Sequence, residues 1–150
     1  MDINATGPGG YFVDYVRCFK VDAKPTQQEK DLYKEVLKSM EASIEMMKPG
    51  NTTRDVAEKF PVYDDDKYGT VTLQQFAHSI GLSLYEGMWV SRSYSLDHPV
   101  EIKANMTFAV ETLAGHPGLT QTCRLEDDIV VTPEGPVRLT QMSFEADFLQ

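Results

Sequence analysis

Three carboxylates and one imidazole interrupt otherwise apolar segments of this 150-residue chain. Asp14 sits in YFVDYVRCF, Glu111 in MTFAVETL and Glu126 in CRLEDDIVV, while His78 stands beside a glycine turn in FAHSIGL. A carboxylate inside a half-buried apolar segment is costly unless it is paired or bound to a cation. Taken singly, each acidic residue is explained by an alternating strand that turns it to solvent. Taken together, several carboxylates with an imidazole form the mixed donor set that divalent transition metals accept. Two ions held so can activate water and polarise a bond under attack.

The histidine shares its neighbourhood with a rival motif. Residues 64–87 read DDDKYGTVTLQQFAHSIGLSLYEG, and the left half resembles a calcium loop. With Asp64 at loop position 1, Asp66 falls at 3, Gly69 at 6 and Thr72 at 9, as an EF-hand needs. Position 5 is then the bulky Tyr68, and position 12 is Gln75, whose neutral amide cannot supply a bidentate carboxylate. The flanks also fail, because Pro61 breaks the entering helix and Gly81 interrupts the exiting one. The stretch reads as an acidic loop feeding a strand, and His78 is left to the metal reading.

The elements that must position these residues follow an α+β order. Asp2–Ala5 and Tyr11–Lys20 flank the turn Gly7-Pro8-Gly9-Gly10 as a hairpin. Nothing in the sequence explains what covers its outer edge. Thr26 and Glu29 have capping-box spacing and open a long helix. Leu32, Val36, Leu37, Met40, Ile44 and Met47 make its apolar stripe, with the methionines as core filler, and Lys48-Pro49-Gly50 ends it. A shorter helix is expected over Arg54–Phe60. Strands are expected over Met106–Glu111, Thr120–Leu125, Asp128–Thr132 and Val137–Thr140, the last two joined by Pro133-Glu134-Gly135-Pro136. Hairpin, helices and then antiparallel strands is not a βαβ repetition.

Composition sets the outer bounds. A 41% hydrophobic and 25% charged chain is that of an ordinary globular domain. A net charge of −9 and a pI near 4.7 argue against nucleic acid or an anionic membrane as partner. No apolar run is long enough to span a bilayer, and MDINATGPGG lacks a signal pattern. Cys18 and Cys123 are too few for a disulfide scaffold, so reduced thiols in a cytoplasmic protein are expected.

Five stretches, in order, carry a family resemblance. GYFVDYVRCF resembles the G-Y-x-x-D-x-x-R-T-F strand of the pita-bread metallohydrolases, with Cys18 in place of threonine. KPGNT resembles their K-P-G-x-T, and AHSIGL their G-H-G-I-G-L. NMTFAVE resembles G-M-x-F-x-x-E-P, and RLEDDIVVT with Gly135, Leu139 and Thr140 resembles the family's closing motif. The family includes methionine aminopeptidase, aminopeptidase P, prolidase and creatinase. The resemblance implies the C-terminal half of a pita-bread fold: a curved antiparallel sheet with flanking helices. It also implies a longer protein, with residues 1–150 as the C-terminal portion of the catalytic domain. By position, the metal ligands fall on Asp2, Asp14, His78, Glu111 and Glu126, with Asp14 and Glu126 bridging two ions of manganese, iron, cobalt or zinc.

The departures bear on the substrate. Asp2 precedes Asp14 by one residue more than the family spacing, with Asn4 as a poorer neighbouring ligand. Tyr85 stands where peptidase members carry a second histidine, paired there with the residue matching Glu86. Tyr85 and Glu111 are the catalytic candidates. The resemblance implies an Xaa-Pro metallopeptidase acting on a peptide, and a homodimer when full length. Tyr85 keeps open a small non-peptide substrate, as in creatinase or dimethylsulfoniopropionate lyase. A non-catalytic binding module is the reading from another class, disfavoured by the retained ligand set.

Overall fold

The structure, a computed structural model, describes residues 1–62 and 76–150. The acidic stretch with calcium-loop spacing, Asp64 to Gln75, lies outside the described residues. Strands β1 (Asp2–Thr6) and β2 (Phe12–Val16) form the expected hairpin around a 3-10 turn at Pro8–Gly10. Gly9 and Gly10 adopt φ of 76° and 84°, values that side chains disfavour, so the turn needs these glycines.

Helix α1 (Gln27–Glu45) starts at the expected cap, where the Thr26 hydroxyl accepts from the Glu29 N–H and the Glu29 carboxylate accepts from the Thr26 N–H. Its buried stripe is Leu32, Tyr33, Val36, Met40, Ser43 and Ile44. Leu37, expected in that stripe, is only partly buried. A second capping box, Thr52 with Asp55, opens α2 (Thr53–Ala57), which is shorter than its expected span to Phe60.

Strands β3 (Phe76–Ser79), β4 (Trp89–Ser91), β5 (Thr107–Gly115), β6 (Thr122–Thr132) and β7 (Gly135–Arg138) complete one sheet, seven-stranded among the described residues. Short helices α3 (Arg92–Ser95) and α4 (Ala146–Leu149) were not apparent from the sequence pattern. The strand order is β1-β2-β6-β5-β3-β4, with β7 also paired to β6. Among the described residues every pairing is antiparallel. His78 lies on β3, with the glycine turn beside it, after the strand.

The two strands expected at Thr120–Leu125 and Asp128–Thr132 are one continuous strand, β6. Its three central acidic residues are buried, so they do not break it. Alternation gives the sheet two chemically different faces. Phe108, Val110 and Ala114 of β5, with Leu125, Ile129 and Val131 of β6, belong to the buried apolar core shared with α1. Burying each large side chain of that set contributes roughly 1.5–3 kcal/mol. The opposite face carries the polar cluster.

Candidate metal centre

Cross-strand register sets the candidate ligands in two adjacent rows. In one, Val16 of β2 faces Glu126 of β6, which faces Glu111 of β5, which faces position 76 of β3. In the next, Asp128 faces Ala109, and Ala109 faces His78, which in turn faces Trp89. Asp14 lies two residues from Val16 and so shares this face. Its backbone N–H does not join the ladder but donates to Asp128 Oδ2 at 3.0 Å. The β2–β6 ladder is registered at the single pair Val16 and Glu126, and the Asp128 carboxylate bridges the gap where the strands diverge. Past that gap, β7 pairs along Ile129–Thr132 on the edge that β2 has left.

Asp14, His78 and Glu126 are brought together, each buried, each offering one ligand atom, and these atoms all lie within 4.8 Å of one another. His78 Nε2 is 3.5 Å from Asp14 Oδ2 and 4.0 Å from Glu126 Oε1. Glu111 is buried beside them. Asp2 shares their face through the hairpin register, which sets Asn4 opposite Asp14 and Asp2 opposite Val16, but its side chain is exposed. Asn4 donates its amide N–H to Asp2 Oδ1.

Arg124, two residues before Glu126, ties the outer carboxylates together. Its Nη2 contacts Glu111 Oε2 and lies 3.7 Å from Glu126, while Nη1 is 3.2 Å from Asp2 Oδ2. This one cation faces several carboxylates. Burial pushes the Glu111 carboxyl up to about 8 against the pull of Arg124. Burial and the charge of Glu111 push Glu126 up to about 10. Asp128 rises to about 7, again chiefly by burial. Among the described residues, Asp14 Oδ1, Glu111 Oε1 and both Glu126 carboxylate oxygens have no hydrogen-bond partner. Buried polar atoms are normally satisfied, and a carboxylate that stays charged here needs a cation. Divalent ions meet that need, and they take oxygen and imidazole donors of this kind.

Tyr85 stands over the centre. Its ring centroid is 4.3 Å from that of His78, and Trp89 lies 6.2 Å from both rings. With Gly87 and Met88 these residues line a hollow of about 230 Å3. Partial burial and the Asp14, Glu111 and Glu126 charges raise the Tyr85 phenol, so it stays neutral and able to donate. Glu86 turns away: its Oε1 accepts the Ser83 N–H at 3.1 Å, and its carboxylate packs on Gly81, where an added Cβ would approach to 2.6 Å.

The other face of β6 carries a clamp that sequence reasoning assigned no role. Arg17 is buried, and its guanidinium donates to the Val16 and Glu126 carbonyls and to Asp127 Oδ1 at 2.6 Å. Arg138 Nε reaches Asp127 Oδ2 at 2.6 Å. The clamp fixes β2 to β6 at the level of Glu126. A positive and a negative residue separated by most of the chain offered no local signal of pairing.

Residues 1–133 match metallopeptidase family M24, and the chain belongs to that family. An uncharacterized peptidase of Staphylococcus saprophyticus is 32% identical over 131 residues, covering 87% of this chain and 36% of that protein. The Xaa-Pro dipeptidase of Pyrococcus furiosus is 26% identical over 136 residues, covering 90% and 37%. Prolidase from Pyrococcus horikoshii superposes with a TM-score of 0.79 at 26% identity, over 96% of this chain and 40% of that one. The His350Ala variant of Escherichia coli aminopeptidase P superposes with a TM-score of 0.68 at 23% identity, over 99% and 40%, and supports the fold alone. The sheet is thus that of the pita-bread fold, as expected from the resemblance. The chain spans 36–37% of the length of these curated relatives.

Proposed function

We propose that this chain forms the C-terminal portion of the catalytic domain of a dinuclear metallopeptidase that hydrolyses Xaa-Pro peptides. The observation that carries this reading is the buried face itself, with Asp14, His78 and Glu126 converged to within 4.8 Å and Glu111 opposite Glu126. In this reading Asp2, Asp14, His78, Glu111 and Glu126 would together hold two divalent ions, of manganese, iron, cobalt or zinc. When bound, the ions would supply Lewis-acid polarisation and lower the pKa of water.

The chain's own residues do the remaining work. Tyr85 donates its O–H to the substrate carbonyl from above His78, where the family histidine would otherwise stand. Trp89 and Met88 give the substrate an apolar wall and keep solvent from the hollow. Arg124 holds Glu111 and Asp2 in place and offsets part of their charge. The whole protein is proposed to act in the cytoplasm as a homodimer.

One observation favours a second reading. A neutral phenol donor in place of an imidazole removes a proton shuttle at neutral pH, which suits a small non-peptide substrate. Assaying the whole metal-loaded protein against Xaa-Pro dipeptides and a panel of betaine-like and amide metabolites separates the two. Cleavage of the dipeptides that disappears in Glu126→Ala is expected. Turnover confined to the metabolites would replace the peptidase reading by the second one.

A further inference from the structure

The two cysteines of the chain come together on the side of β6 away from the ligand face. Antiparallel pairing at Val16 and Glu126 carries the residues after Val16 towards those before Glu126, which brings Cys18 to the Cys123–Arg124 segment. The Cys18 Sγ donates to the Arg124 carbonyl oxygen at 3.2 Å, which sets it beside the residue that follows Cys123 in β6. Both are free thiols. Cys123 is buried in the apolar core, whereas Cys18 is half-buried at its edge. They share a cavity of about 300 Å3 lined also by Phe19, Lys20, Leu119 and Thr122. A solute can therefore meet Cys18 before Cys123.

We propose that Cys18 and Cys123 form a reversible dithiol–disulfide site that reacts with small disulfides from solution and covalently links the end of β2 to β6. The chemistry is ordinary exchange. The Cys18 thiolate attacks one sulfur of the small disulfide, whose S–S bond breaks, and the departing thiolate takes up a proton. Cys123 then loses its proton and attacks the Cys18 sulfur, and the second small thiol leaves. Two protein thiols are oxidised and one small disulfide is reduced to two thiols.

The assignment of roles follows from the surroundings. The hydrogen bond from Cys123 holds the Cys18 thiol down at about 6, in the range of reactive cysteines. Cys123 is raised, first by its hydrogen bond to Cys18 and then by burial, so it waits as the resolving thiol. Capping of Cys18 removes the first of those causes. The Arg17 clamp already holds the two strands together at this level, so closure asks for side-chain rotation rather than strand movement. Cys18 also stands where the family motif has threonine, which makes the pair a property of this chain.

The test uses the folded chain in buffers of graded oxidised-to-reduced glutathione ratio, quenched with acid, alkylated and mapped by peptide mass spectrometry. A Cys18–Cys123 disulfide that forms as the ratio rises and is reversed by dithiothreitol is the expected product. In Cys123→Ala the reaction should stop at a glutathione adduct on Cys18, and in Cys18→Ser the remaining thiol should stay unmodified. Wild-type protein that keeps both thiols alkylatable would overturn the proposal. So would an adduct on Cys18 that never passes to Cys123, or a disulfide between two chains. Should the Cys123→Ala variant fail to fold by circular dichroism, the wild-type peptide map decides alone.

Discussion

Individual side chains set the chemistry of this molecule through the company they keep. Asp14, Glu111 and Glu126 stand out in the sequence because they break apolar patterns, and they are buried in the structure. Solvent exposure by alternation, the ordinary explanation for each, does not hold. Their burial was legible, but the arginines that accompany them were not. Arg17 and Asp127 each look like solvent residues until the fold closes them into a buried pair at 2.6 Å. Removing one member of such a pair leaves a stranded charge, so Arg17→Ala should destabilise the chain by about 3–5 kcal/mol, read from denaturant unfolding. Tyr85 gives the opposite expectation. Its ring is more than half exposed, so Tyr85→Phe should change stability by no more than about 0.5 kcal/mol. Loss of its donor should lower kcat on the true substrate by on the order of 100-fold, measured under saturating conditions.

At the scale of elements, punctuation was legible and continuity was not. Thr26 with Glu29 opens α1 where the sequence places it, because a capping box is a local device of two side chains and two backbone donors. Thr26→Ala should cost about 1 kcal/mol in thermal or denaturant unfolding. The Lys20 ammonium first, and the Thr26 N–H next, hold the Glu29 carboxyl down at about 2 from its ordinary 4.5. A depressed carboxylate stabilises the fold above its unfolded pKa, and that contribution is lost as the pH falls from about 4.5 towards 2. Glu29→Gln should flatten the acid limb of the stability curve over that window.

The β-branched pattern divides β6 into two pieces, on either side of Glu126 and Asp127. The strand runs unbroken because each acid has a destination: Glu126 the cluster with Asp14 and His78, Asp127 the arginine pair, Asp128 the Asp14 N–H. Ala109 sits between Asp128 and His78 in the same row and is buried. A larger residue there would crowd the centre, so Ala109→Leu should lose about 1–3 kcal/mol and weaken metal binding together.

For the whole molecule, an α+β antiparallel architecture was legible from the order of elements, whereas the strand order was not. Nothing local indicates that β2 and β7 share one edge of β6, or that His78 must reach β5 to meet Asp14 from the far side. That convergence of β2, β6, β5 and β3 makes the centre a property of the sheet as a whole. An ion that binds the folded face and not the unfolded chain stabilises by mass action, about 2.7 kcal/mol at a hundredfold excess over Kd. Added manganese or zinc should therefore raise Tm, and a chelator should reverse the rise. The most direct measurement is metal content per folded chain after equilibration with divalent ions and desalting, by elemental mass spectrometry, for wild type, Asp14→Ala and Glu126→Ala. Two ions per chain in the wild type, with both variants losing metal, is the result predicted. Wild type with no metal above background, or variants that retain the full complement, would contradict a metal centre on this face.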